Sequence, residues 1–117
     1  METLTIYHNP RCSKSRAALA LLQERQVPLR VIEYLKQPPS RQELAALRGQ
    51  LGRPAAEWIR SAEPAFKEAG LGAHSSEEQL LDAMAAHPIL IERPIVVRGT
   101  RAVVGRPPER VLELLEG

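Results

Sequence analysis

The chain opens with an alternation of apolar and polar positions, Leu4-Thr5-Ile6-Tyr7, the period-two signature of a half-buried strand. His8-Asn9-Pro10-Arg11 breaks it with turn-forming residues, and the period then lengthens. Ala18, Leu19, Leu21 and Leu22 gather on one side of a helix, with Lys14, Arg16, Gln23, Glu24 and Arg25 mostly elsewhere. Val27-Pro28 stops this helix because proline cannot continue the hydrogen-bond ladder. Residues 29–34, containing Val31 and Ile32, predict a second strand. Strand, helix and strand within about 30 residues imply a right-handed βαβ unit.

The middle of the chain has helical spacing throughout. Ser40 with Glu43 makes a capping-box pattern ahead of Leu44, Ala45, Leu47 and Leu51, and Gly52-Arg53-Pro54 interrupts that helix. Residues 55–69 predict one or two short helices broken near Pro64, and 70–74 a loop. Ser75 with Glu78 is a second capping-box pattern, followed by Leu80, Leu81 and Met84 on one face, and His87-Pro88 ends the segment. Period two then returns: Ile95-Val96-Val97 and Ala102-Val103-Val104 flank Arg98-Gly99-Thr100-Arg101 as a hairpin would. Gly105-Arg106-Pro107-Pro108 reads as a turn, with a last helix from about Pro108 burying Val111, Leu112 and Leu115. The order is β-α-β, a helical block over about 40–87, then β-β-α, which makes the class α/β.

Composition adds boundaries. At 117 residues the chain is expected to be a single domain, 1–117, large enough to build one core without staples. The net charge is +2, from 16 basic and 14 acidic residues, so no field over the whole protein calls for nucleic acid or an anionic membrane. Tyr7, Tyr34, Trp58 and Phe66 are scattered and form no base-stacking platform. No apolar run approaches the ~20 residues of a bilayer span. Met1 leads into a strand rather than a signal peptide, and the single cysteine permits no internal disulfide, so the expectation is a cytoplasmic protein with no membrane and no nucleic-acid partner.

That cysteine, Cys12, falls between the first strand and the first helix. There, free backbone N–H groups and the positive helix terminus stabilise a thiolate and can also hold an oxyanion. Arg11, Lys14 and Arg16 add positive charge. A lone cysteine also fits as a small buried apolar residue, but its position and neighbours favour a reactive thiol. His8 could tune or orient it, Asn9 could donate to its loop, and Ser15 could hydrogen-bond the thiolate from the first turn; each is equally ordinary as turn or helix-start chemistry. Arg93-Pro94 precedes the third strand, and its peptide bond is open to either isomer. Cys12 with His8, His74 and His87 has no metal-ligand spacing, and the seven glycines make no phosphate-binding loop.

The segment Tyr7-His8-Asn9-Pro10-Arg11-Cys12-Ser13-Lys14-Ser15-Arg16 resembles the glutaredoxin-coupled arsenate reductase (ArsC) family, especially its short branch. Three further segments carry the resemblance, which spans nearly the whole chain: Tyr34-Leu35-Lys36-Gln37-Pro38-Pro39, the stretch from His87 through Arg93-Pro94 to Val97, and Gly105-Arg106-Pro107-Pro108. It implies a thioredoxin-like fold, βαβ joined to ββα with a helical insertion between the halves. It also implies Cys12 as nucleophile and Arg60, Arg93 and Arg106 as oxyanion-binding residues. By this resemblance the Cys12 thiolate attacks arsenate, glutathione as co-substrate attacks the bound arsenic, and glutaredoxin reduces the adduct; no bound cofactor is implied. Where well-known members follow the cysteine with Gly-Thr-Ser, this chain has Ser13-Lys14-Ser15, and it ends at Gly117 soon after the last helix. Two other outcomes stay open: a glutathione-dependent thiol oxidoreductase acting on another substrate, and an Spx-like regulator that binds RNA polymerase. Many Spx-type proteins carry a Cys-x-x-Cys switch, and Ser15 stands where its second cysteine would be.

Overall fold

Leu4 and Ile6, two apart on the first strand, are fully buried, and Ala18 and Leu22, four apart on the first helix, are fully buried as well. These are the two periods that the sequence carries, and they place one face of a strand against one face of a helix. In the computed structural model, which describes residues 2–116, the strands are β1 (Leu4–His8), β2 (Leu29–Glu33), β3 (Ile95–Arg98) and β4 (Arg101–Val104). The α-helices are α1 (Ser13–Glu24), α2 (Arg41–Leu51), α3 (Pro64–Glu68) and α4 (Glu77–Ala86). Short 3₁₀ turns lie at Ala55–Glu57 and Pro88–Leu90, and a longer 3₁₀ stretch at Pro108–Leu115. The chain forms two compact units: one runs to Gln37 and resumes at Arg93, and the other is Pro38–Glu92.

The first unit is built on a four-stranded mixed sheet in the order β2-β1-β3-β4. β1 and β2 are parallel, paired from Leu4↔Leu29 to His8↔Glu33, with α1 as the crossover. β3 runs antiparallel to β1 at Ile6↔Val96, and β4 antiparallel to β3 at Val96↔Val103. Arg98 pairs with Arg101, so the hairpin turn is Gly99-Thr100, with Gly99 at φ +58 supplying the left-handed conformation. One core cluster joins Leu4, Ile6, Ala18, Leu22, Val27, Val96, Val111 and Leu114, each buried large side chain contributing about 1.5–3 kcal/mol of transfer free energy. This is the α/β, thioredoxin-like arrangement that the sequence predicts.

The second unit is helical. Ser40 and Glu43 close a reciprocal capping box on α2. Trp58 is fully buried and donates its indole N–H to the Arg53 carbonyl at 3.2 Å. The Glu77 carboxylate at the start of α4 accepts the Ala55 N–H at 2.9 Å, and Leu44, Leu47, Leu80, Leu81, Met84 and Leu90 fill the interior.

Several boundaries differ from expectation. β1 continues through His8, because His8 still pairs with Glu33; β2 stops at Glu33, where Lys36 and Gln37 N–H groups fold back onto its carbonyl. The second capping box uses Ser76 and Gln79, not Ser75 and Glu78; the Ser75 hydroxyl accepts the Gly72 N–H instead. The last element is a 3₁₀ stretch, so its inward positions follow a three-residue period, Val111 and Leu114, rather than Val111, Leu112 and Leu115. Among the described residues, no helix is long and apolar enough to cross a membrane.

Candidate active site

The chain leaves β1 through a turn that its own side chains lock. The Cys12 N–H donates to the Asn9 carbonyl at 3.0 Å, and the Arg11 N–H donates to Asn9 Oδ1 at 3.0 Å, an Asx turn. The Arg16 guanidinium reaches back to the Pro10 carbonyl at 3.0 Å. Within this turn Asn9 accepts through both its carbonyl and its Oδ1. The result sets Cys12 at the N-cap of α1, with extended backbone (φ −95, ψ 122) and its carbonyl accepting the Arg16 N–H. The first turn of α1 holds no acidic residue. Sγ thus lies among the unpaired N–H groups of a helix start with nothing negative in that turn to oppose a thiolate. Burial pushes the Cys12 thiol up, but the Ser15 N–H, the Arg93 guanidinium and the Lys14 N–H together outweigh it, so its pKa lies below the ordinary thiol value.

Beside the thiol, His8 Nδ1 and Ser15 Oγ are 2.7 Å apart, and the Asn9 N–H donates to the same oxygen at 3.0 Å. Ser15 is fully buried and His8 nearly so. Burial is the largest influence on His8 and lowers its pKa; Glu33 opposes this and Arg16 adds to it. A neutral ring that accepts the Ser15 proton at Nδ1 carries its own proton at Nε2. Ser15 hydrogen-bonds toward Cys12 from the first helical turn, as the sequence suggests. Its hydroxyl is committed to His8 and Asn9, and its contribution at Cys12 comes through the backbone N–H.

Arg93 stands directly before β3, its guanidinium hydrogen-bonded toward Cys12, and the Arg93-Pro94 bond is cis. Arg106 donates from Nη1 to the Arg93 carbonyl at 3.0 Å, and the Arg106-Pro107 bond is cis too. The two arginines are held together through Gly105, whose N–H donates to the Pro94 carbonyl at 2.8 Å. A Cβ on Gly105 would sit 2.8 Å from the Pro94 ring and 2.9 Å from Val111, so only glycine permits this approach. Cys12, His8, Asn9, Ser15, Arg93 and Arg106 thus all belong to the sheet-bearing unit. Arg60 belongs to the helical unit. There its N–H donates to the Leu90 carbonyl at 2.7 Å, and its guanidinium is paired with Glu63 at 2.5 Å and Glu92 at 3.8 Å.

One neighbour of the thiol escaped the residue-by-residue reading. Tyr34, just past β2, is fully buried, with the Arg93 guanidinium and Asn9 side chain as its polar neighbours. In the sequence it is a tyrosine at the inward position after Ile32 on a strand end, opening one of the segments that carry the family resemblance. A cleft of about 230 Å³ adjoins the turn, with His8, Arg11, Glu33, Leu35 and Lys36 in its lining. Among the described residues, no group of three or more His, Cys, Asp or Glu side chains could hold a metal ion. What the corner offers is a nucleophilic sulfur, convergent backbone and guanidinium donors, and hence a place for a tetrahedral anion beside the sulfur.

The model of the ArsC family matches residues 7–114. An arsenate reductase of Rhizobium meliloti is 48% identical over 114 residues, covering 97% of this chain and 81% of that protein. An arsenate reductase of Neisseria meningitidis is 44% identical over 117 residues, covering 98% of this chain and all of its own length. The solved structure of an arsenate reductase from Vibrio cholerae, 48% identical, superimposes with a TM-score of 0.91 over 96% of this chain and 97% of that one.

Proposed function

The chain belongs to the ArsC family, and on that premise we propose that it is an oxidoreductase that reduces arsenate to arsenite through the Cys12 thiolate. The observation that carries this reading is the placement of Cys12. Its sulfur sits at the N-cap of α1, facing the Arg93 guanidinium, with its pKa held below the ordinary value. A thiolate is the nucleophilic form of cysteine, and the same donors that stabilise it neutralise an incoming oxyanion.

In this mechanism the Cys12 sulfur attacks arsenic(V), forming an S–As bond, and one arsenate oxygen leaves as water. Glutathione then attacks the bound arsenic, displacing a second water. A glutaredoxin thiol takes the glutathione sulfur as a mixed disulfide. The two thiols supply two electrons, arsenic(V) becomes arsenic(III), and hydrolysis of the remaining S–As bond releases arsenite and restores Cys12. Arg93 and Arg106 bind the oxyanion and its developing charge, and Arg60 carries the same assignment by family resemblance. Guanidinium suits this role because its planar fork matches a tetrahedral oxyanion and it never deprotonates. The cleft bearing Arg11 and Lys36 fits the carboxylates of glutathione, a co-substrate and not a bound cofactor. A single cysteine needs an external thiol and a reducing compartment, which supports a cytoplasmic setting. Ser15, where an Spx-type switch would hold a second cysteine, is locked to His8 and Asn9, which disfavours the regulator reading.

The test is arsenate-dependent NADPH consumption with glutathione, glutaredoxin and glutathione reductase. Wild type should turn over and Cys12→Ser should not, because a serine hydroxyl stays protonated at neutral pH. Full turnover by Cys12→Ser would end the thiol mechanism. Turnover with other disulfide substrates but none with arsenate would shift the assignment to a general thiol oxidoreductase.

A further inference from the structure

Tyr34 is 0% exposed, and among the described residues its Oη has no hydrogen-bond partner. A phenol oxygen withdrawn from water and left unpaired weakens the folded state, whereas phenylalanine would fill the same ring volume without that cost. The oxygen must therefore be explained by something other than stability. Its surroundings are one-sided. The neighbouring polar groups are the Arg93 guanidinium, which has only N–H donors, and the Asn9 side chain, whose oxygen already accepts the Arg11 N–H. Both can donate to the phenol oxygen; the guanidinium cannot accept its proton, and among the described residues the structure records no acceptor for it. The negative charge of Cys12 is felt at the same oxygen. A buried O–H that lacks an acceptor, at a corner whose other groups are donors around a thiolate, is completed by an anion.

We propose that Tyr34 is a substrate-binding residue, donating its phenolic hydrogen to the oxyanion seated beside Cys12 and Arg93. This rests on the reading of that corner as an oxyanion site and adds a neutral donor to its charged ones. Burial raises the phenol's pKa against the opposing pull of Arg93 and Asn9, so the group stays protonated, and a donor, at working pH. A neutral donor also discriminates: it strengthens with the charge on a ligand oxygen but does not attract chloride-like counterions over distance, as arginine does.

Tyr34→Phe tests this, with arsenate and sulfate as probes and four readouts. The free variant should melt at the same or a higher temperature, because an unpaired buried oxygen is removed. Its dissociation constants for both anions by calorimetry should rise about ten-fold or more, the scale of one hydrogen bond to a charged group. The alkylation midpoint of Cys12 without anion should not move. In wild type, arsenate should perturb the tyrosine ultraviolet difference spectrum, and the variant should lose that signal. A lower melting temperature with unchanged anion affinity would make the hydroxyl structural and overturn the proposal. A raised alkylation midpoint with unchanged anion affinity would assign it to the thiolate and overturn it as well. Wild type binding neither anion would remove the oxyanion site itself, a failure distinct from wild type and variant binding equally well.

Discussion

Replacing Arg93 with alanine should raise the pKa of Cys12 by about one unit. Among the described residues, the groups that chiefly favour the thiolate are the Arg93 guanidinium and the Ser15 and Lys14 backbone N–H groups, and alanine at position 93 leaves the latter two in place. A hydrogen bond to a charged group contributes about 1.5–3 kcal/mol, and one pKa unit corresponds to about 1.36 kcal/mol. Full loss would therefore shift the thiol by one to two units. Cys12 is partly exposed, so water replaces some of what the arginine supplied, and the lower end applies. The assay is the alkylation rate of Cys12 against pH, normalised to a model thiol, with thiolate absorbance as a second reading. At a pH below both midpoints the variant should react about ten times more slowly, with its midpoint displaced upward by about one unit. Arg93→Lys should fall between the two, because a lysine supplies the charge without the planar fork. Lys14→Ala is the control: Lys14 acts through its backbone, so its midpoint should stay within a few tenths of wild type. A wild-type midpoint in Arg93→Ala would refute the reasoning, and so would a Lys14→Ala shift as large as that of Arg93→Ala.

Gly105→Ala should cost about 1–3 kcal/mol in denaturant unfolding, since a Cβ there meets Pro94 and Val111 at under 3 Å; an unchanged midpoint would show that the Arg93–Arg106 linkage tolerates it. His8 is held below its ordinary pKa of 6.5, so the unfolded ring takes up a proton before the folded one does. Stability should accordingly fall as pH drops through 6.5, more in wild type than in His8→Asn, and parallel curves from urea unfolding would reject this. Ser76→Ala should cost about 1 kcal/mol, and Ser75→Ala less, if the helix start is set by Ser76; the reverse order would restore the other capping box. On the proposed role of Arg60, Glu63→Gln removes a competing carboxylate, so arsenate affinity should rise several-fold, and an unchanged dissociation constant would refute that role.

The periodic parts of the fold were legible because burial is periodic. Leu4 and Ile6 on β1, Ala18 and Leu22 on α1, and Leu44 and Leu47 on α2 were all readable from spacing, and all are buried. Errors gathered where two local solutions fit one string. Ser75-Ser76-Glu77-Glu78-Gln79 contains two overlapping capping boxes, and only the competing Gly72 N–H, which takes Ser75, selects the second. The last element was read with an α-helical period, yet its buried residues Val111 and Leu114 are three apart. Nothing in five residues distinguishes a 3₁₀ from an α period when apolar residues occupy 111, 112, 114 and 115 alike.

The site divides in the same way. Cys12 was legible because its chemistry is local: a turn, a helix start and basic neighbours all lie within a few residues of it. Ser15 was only half legible, since its backbone N–H serves the thiol by virtue of helix position while its hydroxyl is drawn to His8, a strand residue whose orientation is fixed by pairing with Glu33. Tyr34 and Arg93 meet Cys12, and Arg106 meets Arg93, only because β2, β3 and the Gly105 turn converge on one end of the sheet. That convergence is set by register and by the space above a glycine, neither of which has a period in sequence. Arg60 is the limiting case. Its charge is plain in the sequence, but what that charge does depends on Glu63 and Glu92, which hold it against carboxylates of its own unit. An arginine so paired can take an oxyanion only as those carboxylates yield, so its availability is a property of folded geometry that residue type alone does not encode.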